Sequence, residues 1–173
     1  VLYLYFAGFL SPRAPVAPRP TDPPSLTIAA ITLPGGFDKY NLWRRPFVER
    51  AYGRLLAARA MAFKPDAVIG GNAPLDPQNM LRAAAAKLGA GFVFWLQDAY
   101  GVAIDKILRR KLPVVGALVG AYYLVMERRL WRGSDRIVAI TEDFRPLLDR
   151  HGVDQGRVAV IENWAGLAEV PVR

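Results

Sequence analysis

Short apolar segments alternate with segments of helical length along this chain of 173 residues. The strand-like segments read VLYLYF, LTIAAITL, DAVIGG, GFVFWL, RIVAI and RVAVI. Between them lie longer segments such as the one from about Asn41 to Phe63, in which apolar residues recur at helical spacing. This alternation predicts an α/β fold with a doubly wound parallel sheet covered by helices on both faces. The length is suited to one such core.

Polar residues follow four of these strands, at the point where each strand ends. They are Asn72, Gln97, Asp98, Thr141, Glu142, Glu162 and Asn163. Because ligands of open parallel sheets bind outside the carboxyl ends of the strands, the predicted fold would gather these side chains in one crevice. The structural alternative is that polar groups regain hydrogen-bond partners wherever a strand leaves a core. Thr141 also suits the N-cap of the helix predicted to follow it.

Several kinds of chemistry are excluded by composition. The chain has no cysteine and a single histidine, so disulfides and thiolate metal sites are excluded, and His151 cannot build a zinc site unaided. No GxGxxG, P-loop or GxSxG motif is present. His151 precedes Gly152 at a predicted helix end, where a cap is the expected role. We therefore predict neither a metal site nor a bound cofactor.

The net charge of +8 is carried largely by arginines in short clusters. Such charge favours nucleic acid, anionic lipid or a phosphorylated ligand as partner. The alternative is a solvated, arginine-rich surface. The residues predicted to contact an anionic membrane are Arg109, Arg110, Arg128 and Arg129.

The segment from Leu112 to Met126 contains no charged residue. It is shorter than the roughly 20 residues that a spanning helix needs. Two interpretations of helix 112–131 remain open. Its hydrophobic period favours a buried core helix, whereas its basic flanks favour an interfacial helix with Tyr122, Tyr123 and Trp131 at headgroup level. Gly116 and Gly120, in GxxxG spacing, would allow close packing.

Four segments, KPDAVIGGNAPLDPQ, FVFWLQDAYGVAI, MERRLWRGSDRIVAITEDF and RVAVIENWA, follow one another along the chain. In this order and spacing they resemble the N-terminal domain of GT-B glycosyltransferases of family 4, of the colanic-acid and exopolysaccharide type. The resemblance implies a Rossmann-like doubly wound parallel sheet, the N-terminal half of a GT-B fold. Residues 1–166 would form an acceptor-binding domain that lacks its first β-α unit, and residues 167–173 would begin the crossover to an absent donor domain.

The resemblance also implies a reaction. The family's enzymes are retaining, metal-independent sugar transferases of hexosyltransferase type whose second domain holds a nucleotide sugar. The expected acceptor is a saccharide, commonly lipid-linked, in cell-surface polysaccharide synthesis. The expected location is the cytoplasm, with a peripheral position on the inner face of the plasma membrane left open. Because transfer needs both reactants held in one geometry, this chain alone is expected to be inactive.

Site residues follow from the family pattern position by position. A histidine followed by aspartate often ends the strand that here reads FVFWLQD, so Gln97 occupies the histidine position. Glutamine cannot act as a base, but it can donate to and accept from sugar hydroxyls. Asp98 is then the predicted catalytic residue, with Tyr100 as a stacking or hydroxyl partner. The other predicted acceptor-binding residues are Asn72, Thr141, Glu142 and Asn163.

Two other functions remain open. One is a GT-B sugar-nucleotide epimerase, which would act on a nucleotide sugar without an acceptor. The other is a non-catalytic basic module that binds anionic membrane or nucleic acid, of which nucleic acid is the less expected partner.

Overall fold

The computed structural model describes residues 1–7, 16, 18–33, 44–71 and 73–163. These residues form six strands, β1 (Leu2–Phe6), β2 (Thr27–Ile31), β3 (Ala67–Gly71), β4 (Gly91–Leu96), β5 (Arg136–Ala139) and β6 (Val158–Val160). They also form five α-helices, α1 (Arg45–Phe63), α2 (Leu75–Leu88), α3 (Tyr100–Lys111), α4 (Val115–Gly133) and α5 (Arg145–Arg150). Short 3-10 turns occur at Glu142–Phe144 and Gln155–Arg157.

The described strands form two parallel sheets. One has four strands in the order β3-β4-β5-β6, and the other pairs β1 with β2. In the larger sheet Leu96 lies opposite Ala139, which lies opposite Val160. The carboxyl ends of β4, β5 and β6 are therefore level at one edge. The predicted α/β fold with parallel strands is confirmed.

The main core lies on one face of the four-stranded sheet. Phe92, Phe94 and Leu96 of β4 are buried there, because alternate side chains of a strand point to the same face. Helices α2, α4 and α5 cover them, as expected when successive parallel strands are joined by right-handed crossovers in one direction. On the opposite face, Ile69 and Trp95 remain exposed to solvent among the described residues.

A second, smaller core joins the β1-β2 pair to α1. Ile31 of β2 packs with Tyr52 and Leu56 of α1. The ring of Tyr52 meets that of Phe6 edge-on, with centroids 4.8 Å apart. Helix α1 begins at Arg45 with a proline in its first turn, whereas the sequence predicted a start near Asn41. Residues 41–43 lie outside the described residues.

Helices α3 and α4 form an antiparallel hairpin. A Cβ added at Gly116 would collide with the backbone carbonyl of Leu108. A Cβ added at Gly120 would lie 2.7 Å from the Cα of Asp105. Both glycines are buried in the hairpin. The close packing that the GxxxG spacing would allow is therefore confirmed, and its partner is α3.

Valine at Gly116 is expected to lower the free energy of unfolding by about 2 kcal/mol or more, because the added side chain must push the two helices apart. Urea unfolding measures this difference. Gly91→Val is the matched control, since nothing lies within 4 Å of an added Cβ there. Equal stabilities of the two variants would contradict the close approach of α3 and α4.

Candidate functional site

The predicted site residues that are described lie along one edge of the larger sheet. Gln97 and Asp98 directly follow β4, Thr141 follows β5 after one residue, and Asn163 follows β6. Gln97 is partly buried, whereas Asp98 and Asn163 are exposed. Asn72 lies outside the described residues. The topology therefore places three of the four polar strand exits in a row.

Thr141 and Glu142 both make local contacts. The Thr141 hydroxyl accepts a hydrogen bond from the backbone N–H of Asp143 at 3.3 Å, so the predicted N-cap is confirmed. It also donates to the Asp143 carboxylate at 3.2 Å. Glu142 pairs with Arg145 at 2.7 Å and stays largely exposed. Thr141 thus has a structural role at the start of its helix, whatever else it binds.

Helix α3 begins at Tyr100, two residues after Asp98. Burial, followed by the nearby negative charge of Asp98, raises the pKa of the Tyr100 phenol. The charges of Arg45 and Glu49 also act on it, in opposite directions. The phenol therefore stays protonated at neutral pH and can donate a hydrogen bond next to the Asp98 carboxylate.

The Arg45 and Glu49 pair is a feature of this region that the sequence analysis missed. The Nε of Arg45 lies 2.6 Å from Oε1 of Glu49, whose side chain is almost fully buried. Burial raises the pKa of Glu49, and the hydrogen bond and charge of Arg45 oppose this shift. Asp76, near the start of α2, raises the pKa of Glu49 as well. The N-terminal parts of α1 and α2 therefore place charged groups near one another, and those of α1 also act on Tyr100 at the start of α3.

Arg50 links three of the helices. Its guanidinium lies 3.5 Å from the Asp76 carboxylate on α2 and 3.4 Å from the Tyr122 hydroxyl on α4. Pairs as exposed as these contribute little to stability. They show that the side chains of α1, α2 and α4 meet at this point of the surface.

A second missed residue, Glu127 of α4, holds the start of α3. Its carboxylate is completely buried and accepts the backbone N–H of Val102 at 3.1 Å. Burial raises the pKa of Glu127 to about 7, against the lowering effect of the backbone N–H groups of Gly101, Val102 and Tyr100. The first N–H groups of a helix lack partners within it. Glu127 therefore caps α3 from another helix.

Gly101 makes this cap possible. A Cβ at this position would lie 2.7 Å from Oε2 of Glu127 and 2.8 Å from the backbone oxygen of Tyr123. The absence of a side chain lets the start of α3 approach α4 closely. Since Asp98 and Tyr100 immediately precede this contact, Glu127 helps to set their position.

These side chains suit the binding of a polyhydroxylated ligand. A carboxylate, an amide and a phenol supply both donors and acceptors for hydroxyl groups. Among the described residues, no group of three or more histidine, aspartate or glutamate side chains could hold a metal ion. The metal-independent chemistry and the lack of a cofactor stay predictions.

The predicted anion-contacting arginines fall in two places. Arg109 and Arg110 lie in the last turn of α3, where Arg109 pairs with Asp105 at 2.8 Å. Arg128 and Arg129 lie in the second half of α4, with Arg128 partly buried and Arg129 exposed.

Helix α4, which contains most of the uncharged segment, has two halves that differ in burial. Met126, Leu130 and Trp131 are buried, so Trp131 cannot serve as an interfacial residue as one interpretation required. The ring of Trp131 lies 5.5 Å from that of His151, the C-cap of α5. Val115, Leu118 and other apolar residues of the first half are exposed, so uniform burial is also wrong. No described helix is long and apolar enough to cross a membrane.

Comparison with known proteins assigns the chain to a family. The family model described as a glycosyl transferase 4-like domain matches residues 7–164, which include all of the described helices and every described strand except β1. No significant match was found among curated proteins or among solved structures. The family match supports a function of the glycosyltransferase type. The chain belongs to the family of glycosyl transferase 4-like domains.

Proposed function

We propose that this chain is the acceptor-binding part of a retaining glycosyltransferase. The whole enzyme transfers a hexose from a nucleotide sugar to a saccharide acceptor, which is lipid-linked, in cell-surface polysaccharide synthesis. The supporting observation is the position of Asp98 and Tyr100. Both lie at the carboxyl end of β4, where ligands of such sheets bind. The charges of Arg45 and the buried Glu49 act on Tyr100.

Each residue has a role in this proposal. Asp98 is exposed and accepts a hydrogen bond from the acceptor hydroxyl, which increases the nucleophilicity of its oxygen. Tyr100 donates to a neighbouring hydroxyl, and Gln97 orients the sugar ring through its amide. Asn72, Thr141, Glu142 and Asn163 extend the acceptor contacts along the same edge. The reaction needs no metal or cofactor, and the nucleotide sugar is held by a second domain.

The domain arrangement belongs to the same proposal. The outer edge of β3 pairs with no described strand, and Ile69 of β3 exposes 69% of its surface. A further β-α unit could pair with the free strand edge and cover the exposed apolar face. Residues 1–166 would then form an acceptor domain completed by that unit, and residues 167–173 would lead to the donor domain. The enzyme would work in the cytoplasm, at the inner face of the plasma membrane.

Transfer by the whole enzyme tests the proposed function. We expect label from a UDP- or GDP-hexose to appear on lipid-linked saccharide extracted from the source cells, and only when that extract is present. Isomerisation of the nucleotide sugar without any extract would identify an epimerase instead. Binding of the extract with neither reaction would favour a non-catalytic module.

A further inference from the structure

A continuous apolar surface lies at the tip of the α3–α4 hairpin. We call it the hairpin surface, and it consists of Leu112, Val114, Val115, Leu118, Val119 and Tyr122. Val114, Val115 and Leu118 expose 76%, 62% and 71% of their surface. Single exposed apolar residues are ordinary, but a contiguous group of this size usually marks an interaction site.

The spacing of these residues makes the surface continuous. Starting from Val115, the next members on α4 follow after three, four and seven positions, at Leu118, Val119 and Tyr122. This spacing places all four on one face of the helix. Gly116 and Gly120 lie on the other face, packed against α3. The hairpin therefore holds the apolar face outward while its glycines keep the two helices together.

The charges at the tip of the hairpin are basic, whereas at the Tyr122 end Arg50 is paired with Asp76. Lys106, Arg109, Arg110 and Lys111 form the end of α3, directly before the turn. No acidic residue occurs between Asp105 and Glu127, and Asp105 is paired with Arg109. Two copies of the hairpin meeting face to face would bring two such basic clusters together, which disfavours a dimer.

An apolar helix face bordered by lysine and arginine matches the boundary between lipid headgroups and acyl chains. The apolar residues can enter the acyl region while the cations contact anionic headgroups. A tyrosine at the edge of the surface suits the headgroup level. Trp131 is buried and takes no part. Arg128 lies about 15 Å farther along α4 than Leu118 does.

We infer that the hairpin surface inserts into the interface of an anionic lipid bilayer, with the basic end of α3 bound to its headgroups. The inference deepens the proposed function. It rests on that function only for the purpose assigned to the membrane contact, not for the contact itself. Helix α3 runs about 17 Å from Tyr100, at the candidate site, to its basic end. Membrane binding would therefore bring the site close to a lipid-linked acceptor.

Vesicle flotation tests the insertion directly and needs no transfer activity. The protein is mixed with vesicles of phosphatidylcholine, with or without phosphatidylglycerol, at low and high salt. We expect binding to the anionic vesicles only, weakened by salt. Leu118→Asp should weaken it by about tenfold or more, because a charge must then enter the apolar region. Arg110→Glu with Lys111→Glu should weaken it at least as much.

Leu55→Asp is the matched control, since Leu55 is a leucine in the middle of α1 that exposes 40% of its surface. It should bind vesicles as the parent does, and circular dichroism should show that all variants fold. Failure of the parent to bind anionic vesicles, or equal binding by Leu118→Asp and Leu55→Asp, would overturn the inference. Concentration-dependent self-association that Leu118→Asp abolishes, without vesicle binding, would assign the surface to a second copy instead. Loss of transfer with intact vesicle binding would count against the proposed function alone.

Discussion

Asparagine in place of Asp98 is expected to lower the rate of sugar transfer by the whole enzyme about 100-fold or more. Asparagine has nearly the same shape as aspartate, but it can neither take up a proton nor carry the negative charge that draws on the acceptor hydroxyl. Asp98 makes no hydrogen bond or ion pair with another side chain among the described residues. The substitution should therefore leave the thermal unfolding midpoint nearly unchanged.

The measurement compares kcat/KM and the unfolding midpoint of the parent and Asp98→Asn. Asp149→Asn is the control, because Asp149 is an exposed carboxylate on α5 that undergoes the same chemical change elsewhere. We expect only Asp98→Asn to lose activity. Transfer at the parental rate by Asp98→Asn would remove this residue from the mechanism.

The second large effect concerns Glu127 and pH. Its pKa is raised from 4.5 to about 7 in the folded protein, so the folded state binds this proton more tightly than the unfolded chain does. Protonation therefore favours folding. The contribution is fully present below about pH 4.5 and is lost as pH rises through about 7. At about 1.4 kcal/mol for each pKa unit, the total loss is about 3 kcal/mol.

Glu127→Gln isolates this effect, because glutamine has a similar shape and does not titrate. Urea unfolding of both proteins at about pH 5 and about pH 8 gives the difference in their free energies of unfolding. We expect the parent to lose about 2 kcal/mol or more relative to Glu127→Gln over this range. The comparison cancels the titration of all other groups. Parallel pH dependences would show that Glu127 has an ordinary pKa and is not buried as described.

The parallel sheet and its polar edge could be predicted because both depend on local pattern. Short apolar segments between helical ones indicate parallel strands, and residues that follow such strands must lie at the carboxyl edge. Gln97, Asp98 and Asn163 lie where that argument placed them. Thr141 was predicted as an N-cap for the same reason, since capping depends on residues only two or three positions apart.

The Arg45 and Glu49 pair and the role of Glu127 could not be predicted in this way. An arginine and a glutamate four residues apart resemble an ordinary pair on an exposed helix face. Glu127 stands in the charged run MERR, which indicates solvent. Its burial depends on the contact between α3 and α4, which brings Gly101 next to it from 26 positions away along the chain, and no local pattern contains that contact.

The hairpin surface shows a further limit of sequence periodicity. The run VVGALVGAYYLV is apolar on every face of its helix, so the sequence favoured burial but left interfacial exposure open for the whole segment. Tertiary packing determines which face and which half of α4 is buried. Gly116 and Gly120 turn toward α3, Leu130 and Trp131 enter the main core, and Leu118 is left exposed.

The most direct test of the central claim is to locate saccharide binding on the chain itself. Amide resonances of the isotope-labelled protein are followed by NMR while octyl glycosides of the common hexoses and deoxyhexoses are added. We predict that at least one glycoside shifts the resonances of Gln97, Asp98 and Tyr100, and that Asp98→Asn weakens the response. Shifts confined to other regions, or no shift with any glycoside, would contradict an acceptor site at the strand ends.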